Sequence, residues 1–313
     1  MKNSRKAVLM VFLITTASLF NCKQEKKQAD TYSEEESKGI IEIVTNVMDF
    51  QTVDTVAAGW NTFKYINKST EPHFVLFDDY PEGKGEEDAK KVVAPVFEKG
   101  MQLIMEGEME EAMAAFGELP EWFGEIVFVG GSGLISGGEE NTFTLNLKPG
   151  NHVIECYVKM ENGMFHTSMG MVKELWVTDE DSRNKPPEAT INMSISSTEG
   201  INYEGEITKG WQTFSILYND QIVHENFVGH DVNLVKLEDN ANLEELEAWM
   251  NWSNPTGLMS PVPEGVTFLG GTNDSPAGST QYFTANLEPG NYAFIAEVPN
   301  TKAKGMFKQF TIE

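Results

Sequence analysis

Residues Pro149 to Val177 read PGNHVIECYVKMENGMFHTSMGMVKELWV. A Pro-Gly pair opens the stretch, apolar side chains lead up to Cys156, a loop with Asn162-Gly163 follows, and a second apolar-rich run closes it. Proline presets φ and glycine accepts a left-handed backbone, so each pair marks a turn between strands. Inside the loop stands His166, and Met171 lies five positions on. A thiol, an imidazole and a thioether are thus expected on one strand end and the loop beside it.

Working outward, the same turn recurs. FTLNLKPGN at Phe143 to Asn151 returns as FTANLEPGN at Phe283 to Asn291, and GWNTF at Gly59 to Phe63 as GWQTF at Gly210 to Phe214. VFVGG ending at Gly131 returns as TFLGG ending at Gly271, and Gly170-Met171 as Gly305-Met306. The offsets are 151, 140, 140 and 135 residues in chain order, which reads as two homologous domains with loops of different length. In Phe143, Leu145 and Leu147 the period is two, as a half-buried strand requires. Short strands and Gly-rich turns point to an all-β fold of two tandem sandwiches. The exception is Glu86 to Gly117, whose apolar residues recur at helical spacing and read as a helical insertion. Its four methionines, Met101, Met105, Met109 and Met113, fall four apart. Such a stripe reads as a packing face, with copper(I) binding as the alternative. Leu243 to Met250 is a shorter helical counterpart in the second repeat.

The N-terminus has a basic start (Lys2, Arg5, Lys6) and an apolar run from Ala7 to Phe20, too short to span a bilayer comfortably. It reads as a signal peptide over residues 1–21. Leu19-Phe20-Asn21-Cys22 resembles a bacterial lipoprotein box, although Asn21 stands where Gly, Ala or Ser is usual. That resemblance implies lipidation at Cys22 and a place in the bacterial cell envelope, periplasmic or at the outer-membrane surface. The polar stretch after it, residues 22–40, reads as a tether, followed by a first domain over 41–180. A charged, proline-broken linker over 181–187 leads to a second domain over 188–313. With two cysteines in the chain and one of them lipidated, Cys156 has no disulfide partner. It is either an inert buried thiol or a thiolate ligand.

Here the chain resembles the cupredoxins, the blue (type 1) copper proteins of the plastocyanin kind. They bind copper with an upstream histidine and a Cys…His…Met loop between their last two strands. Glu71-Pro72-His73-Phe74-Val75-Leu76-Phe77 offers the upstream histidine. His166-Thr167-Ser168-Met169-Gly170-Met171 keeps the four-residue gap between histidine and methionine. The nine residues between Cys156 and His166 exceed the plastocyanin loop and are close to that of copper nitrite reductases. The resemblance implies Cys156 as thiolate, His73 and His166 as imidazoles, and Met171 as weak axial ligand. Each alone has a plainer reading: a strand-end histidine, a small buried thiol, a core methionine. In the second repeat His230 and Met306 match His73 and Met171, but Ala296 takes the cysteine position and no second loop histidine exists. That domain is expected to be structural or partner-binding. Pro149-Gly150-Asn151-His152 looks like the Pro-Gly-x-Tyr turn of plastocyanin-like domains, and His152, at the tyrosine position, is expected to pack or hydrogen-bond there.

Composition narrows the partners. With 23 basic and 48 acidic side chains the net charge is -25, which repels phosphate backbones, so no nucleic acid is expected. A basic redox protein is electrostatically suited. Five histidines without a His-x-His pair do not support a multicopper oxidase or nitrite reductase centre, and no hydrolase, zincin or phosphate-loop motif occurs. The expectation is a non-enzymatic one-electron carrier with no small-molecule substrate. Two alternatives stay open: a metal-free binding or assembly module, and a copper storage or delivery protein.

Overall fold

The local patterns above become strands as follows in the computed structural model, which describes residues 39–313. The signal peptide, Cys22 and nearly all of the tether lie outside the described residues. The chain begins with β1 (Ile40–Thr45), which pairs in parallel with the second half of β2 (Thr55–Asn67). β2 is long because it serves two layers. Its first residues, Thr55 to Ala57, run parallel to β7 (Val172–Asp181), while Gly59 to Ile66 pair antiparallel with β5 (Glu140–Leu147). The strand turns from one layer to the other at Gly59, whose φ of 94° favours glycine.

β3 (Leu76–Asp79), β4 (Val127–Gly131), β6 (Gly150–Glu155) and β7 form the layer order β4-β3-β6-β7. The second half of the chain repeats it as β12-β11-β14-β15, from β11 (Val232–Leu237), β12 (Val266–Thr272), β14 (Gly290–Ile295) and β15 (Phe307–Ile312). Its facing layer contains β8 (Ile191–Ser196), β9 (Gly200–Glu204), β10 (Gly210–Tyr218) and β13 (Thr280–Leu287). The repeated Gly-Trp-x-Thr-Phe strands sit in equal registers: Gly59 opposite Leu147 and Phe63 opposite Phe143, then Gly210 opposite Leu287 and Phe214 opposite Phe283. The fold is thus mostly β, as expected.

β5 and β13 also pair with each other, Thr144 with Tyr282, Phe143 with Phe283 and Thr142 with Thr284, so one sheet runs through both repeats. Side chains lock the seam. The Gly131 N–H donates to Gln281 Oε1 at 3.0 Å, and Asn141 Nδ2 donates to the Leu269 carbonyl at 2.9 Å. Each repeat is filled by aromatic stacks, Phe63 on Phe143 at 5.4 Å and Phe214 on Phe283 at 4.6 Å.

The insertion is helical but broken: α1 (Glu86–Asp88), a π turn (Ala89–Val93), α2 (Ala94–Glu106) and α3 (Met109–Phe116). Gly107, at φ 86°, ends α2 and reverses the chain. The methionine stripe is therefore split between two helices. Met101 is buried, but Met105, Met109 and Met113 are 48–56% exposed and form no packing face. α4 (Leu243–Met250) follows an Asn242 cap that accepts from the Glu244 and Glu245 N–H groups. Among the described residues, no helix is long and apolar enough to cross a membrane.

Candidate metal centre

β6 delivers Cys156 one residue past its end, where the ladder stops and a side chain can turn toward the end of the layer. The Thr167 hydroxyl donates to the Cys156 carbonyl at 2.9 Å and ties the following loop back to the strand. The Cys156 N–H reaches the Met171 carbonyl at 3.2 Å, and the Met171 N–H reaches the His166 carbonyl at 3.0 Å. His73 enters from the far side through a two-way bridge with Ile135. It lies in a continuously buried run rather than at the start of an alternating strand.

These constraints bring His73, Cys156 and His166 together, all fully buried. Cys156 Sγ is 3.8 Å from His73 Nδ1 and 3.7 Å from His166 Nδ1, and the two Nδ1 atoms are 2.9 Å apart. Metal–sulfur and metal–nitrogen bonds of about 2.3 and 2.0 Å meeting at trigonal angles put sulfur and nitrogen about 3.7 Å apart. Both sulfur–nitrogen spacings fit. The nitrogens are nearer than that geometry asks, a spacing at which one imidazole can hydrogen-bond the other. Met171 is fully buried beside them through its backbone bonds to Cys156 and His166.

The Phe74 and Val158 backbone N–H groups turn toward the Cys156 sulfur and favour its thiolate form, and the two Nδ1 atoms face each other. Both Nε2 atoms are buried without a hydrogen-bond partner, so packing rather than a carboxylate orients the rings. Burial, with the neighbouring His166 adding to it, lowers His73 to about 3, and burial lowers His166 to about 4. Burial pushes the Cys156 thiol up to about 12. The free site thus holds two neutral imidazoles and a protonated thiol, uncharged groups facing one another. A bound cation replaces that thiol proton and makes the thiolate a ligand. The donor set, one soft sulfur and two imidazoles, suits copper in both oxidation states.

The site lies beneath the insertion. Phe97 of α2 stands edge-on to Phe165 at 6.4 Å, and the Met105 sulfur lies where a side chain on Gly163 would be. His166 has no exposed edge. Met164 and Met169, flanking it in the loop, are 41% and 40% exposed.

The second repeat keeps the frame without the donors. The Ala296 N–H bonds the Met306 carbonyl at 3.1 Å, as Cys156 does Met171, and Thr301 stands where His166 stands. His230 takes the His73 place, but its Nε2–H donates to the Asp220 carbonyl and its Nδ1 pairs with His224 Nε2, each at 2.9 Å. His152 is buried and its Nε2–H donates to the Lys148 carbonyl at 2.9 Å. The Tyr292 hydroxyl does the same to Glu288 at 2.9 Å.

Some of the chain's 48 acidic residues are buried. Asp78, Asp231, Asp274 and Glu297 are at most 3% exposed, and Glu155 is half-buried. Burial raises Glu155 and Asp274 to about 7 and Asp231 to about 8, and drives Asp78 and Glu297 well up. A glutamate interrupting the apolar Val-Ile-Glu-Cys run was the available signal.

No protein-family model and no curated protein matches the chain. Among solved structures it is similar to dithionite-reduced auracyanin from the photosynthetic bacterium Roseiflexus castenholzii, 20% identical over 45% of this chain and 97% of that one, TM-score 0.27. It is similar to auracyanin A, a "blue" copper protein from Chloroflexus aurantiacus, at 20% identity over 44% and 98%, TM-score 0.28. A multicopper oxidase is 12% identical over 88% of each chain, TM-score 0.23. At such low overlap the neighbours carry no weight for function, which rests on the side chains of the site.

Proposed function

We propose that the protein binds one copper ion, which His73, Cys156 and His166 would hold with the Met171 thioether as a fourth, weaker ligand, and carries one electron at a time. The observation that carries this reading is the meeting of one thiol and two neutral imidazole nitrogens within metal-bridging distance in a fully buried site. Copper in such a set cycles between two oxidation states. The residues do the rest. The Thr167 and Met171 bonds hold the loop in one geometry, and full burial keeps water from the ligands. Ligands fixed beforehand rearrange little, and low rearrangement favours fast transfer.

In this reading residues 41–180 and 188–313 are two cupredoxin-like copies, the second structural. The chain is exported and lipid-anchored through Cys22 in the cell envelope. Because His166 is covered, electrons enter near the exposed Met164 and Met169. The net charge of -25 favours a basic redox partner. Catalysis is not part of the role. The exposed Met105, Met109 and Met113 favour one second reading, copper(I) storage or delivery.

A potentiometric titration of the copper-loaded protein separates the two. A carrier takes up and releases one electron per copper reversibly. A colourless protein that keeps copper(I) and resists mild oxidants is a store instead, and absence of copper uptake leaves a metal-free module.

A further inference from the structure

A second cavity lies on the reverse side of the Cys156 strand. Successive strand residues point to opposite faces, so Glu155 and Tyr157 turn away from the metal ligands and line a cavity of about 80 Å³. Its walls include Phe97 from the insertion, Phe123, and Phe227 and Trp252 from the second repeat. Phe97 and Phe227 are 5.1 Å apart and Phe97 and Trp252 6.4 Å, both edge-to-face. Asp78, Glu155, Asp274 and Glu297 add four carboxyl groups to this aromatic lining.

That lining is short of positive charge. Asp78 is 1% exposed and no N–H group bonds either of its oxygens; its charged neighbours are the Glu155 carboxyl, which pairs with it, and Asp274. Asp274 is 3% exposed and its Oδ1 also lacks a partner. Lys159, the buried lysine nearby, donates to the Pro255 carbonyl at 3.1 Å and the Asn254 carbonyl at 3.4 Å. Glu297 is meanwhile engaged by the Tyr157 hydroxyl. A buried carboxyl oxygen without a donor is destabilising, so the lining is suited to something that brings N–H groups.

The shape decides which cation. Among the described residues, the groups whose ligand atoms converge within 4.8 Å are only His73, Cys156 and His166, so no three carboxylates converge for a bare metal ion. Aromatic faces suit an ammonium carrying carbon, through cation–π attraction and apolar contact together. We infer that this cavity is a binding site for a small organic ammonium ion, its N–H groups on Asp78 and Asp274 and its carbon atoms against Phe97, Phe227 and Trp252. A cavity of roughly 150 Å³ accommodates benzene, so the ligand is smaller than that, a short alkylamine. The site is distinct from the metal ligands, although the Cys156 strand and the Phe165 and Thr167 neighbours of His166 also line it.

The test uses the full chain without metal, at pH 8, titrated calorimetrically with ethylammonium, n-propylammonium and trimethylammonium chloride. 1-Propanol serves as the neutral counterpart. We expect saturable one-to-one binding of at least one ammonium, at least tenfold tighter than the alcohol, and at least tenfold weakening by Asp78→Asn. Equal binding of alcohol and ammonium, or no saturation with any of the three, overturns the inference. So does tighter binding of manganese(II) or calcium that Asp78→Asn abolishes. If Asp78→Asn fails to fold, the ammonium-to-alcohol ratio on the unchanged chain decides alone.

Discussion

Replacing Asp274 with asparagine is expected to stabilise the protein at alkaline pH and to do little in acid. Asp274 is buried, accepts the Gly229 N–H, and has a second oxygen with no partner. Burial lifts its pKa from 3.8 to about 7. The folded state therefore keeps a proton that the unfolded chain gives up, and stability falls as pH climbs from about 4 to about 7. At 1.36 kcal/mol per unit the full loss is about 4 kcal/mol. The acids around it share the proton balance, so Asp274→Asn should recover about 2–4 kcal/mol at pH 8.5. The amide oxygen can keep the Gly229 bond, and the NH₂ group supplies a donor to the acid-lined cavity. Near pH 4 the gain should shrink to below about 1 kcal/mol, because Asp274 is then protonated in the folded state and only about half ionised in the unfolded one. Thermal unfolding at the two pH values reads the difference directly, as a melting-point rise of roughly 4–16 °C at pH 8.5 only. An equal shift at both values, or a fall at pH 8.5, would refute the reasoning.

Three further outcomes follow from the same structure. Copper(I) affinity, measured by chelator competition, should rise about tenfold per pH unit from pH 5 to 9. Cys156, pushed up to about 12, gives up one proton on binding, whereas His73 and His166, at about 3 and 4, are already neutral; a flat profile would count against the thiolate. Gln281→Ala removes bonds to the Gly131 N–H and the Asn273 carbonyl and should cost about 1–3 kcal/mol in urea unfolding while the copper spectrum stays unchanged. Ala296→Cys should leave copper stoichiometry at one per chain, because Thr301 stands where an imidazole is needed and His230 is already bonded through both nitrogens; a second equivalent would show the second repeat to be competent.

Much of the fold was legible because its signals are local. The repeated Pro-Gly turns and the alternation at Phe143, Leu145 and Leu147 need only neighbouring residues to speak. The meeting of His73, Cys156 and His166 was legible for another reason: the order and spacing of those residues match a known loop. What escaped was long-range. No local pattern announces that β5 pairs with β13, since the register is set by Phe143 facing Phe283 across the pseudo-symmetric seam. The methionine spacing implied one helical face, but Gly107 splits it, and three of the four thioethers meet solvent. The buried acids were hidden by their number elsewhere in the chain. No local pattern announces that His166 is covered, which only the packing of α2 on its loop reveals.

The most direct measurement is the visible absorption spectrum of the purified metal-free protein after one equivalent of copper(II). An intense blue or green sulfur-to-copper band that Cys156→Ala removes, with the fold retained by circular dichroism, is the predicted result. A colourless mixture, or a band that survives in Cys156→Ala, would contradict the assignment of this thiol as the copper ligand.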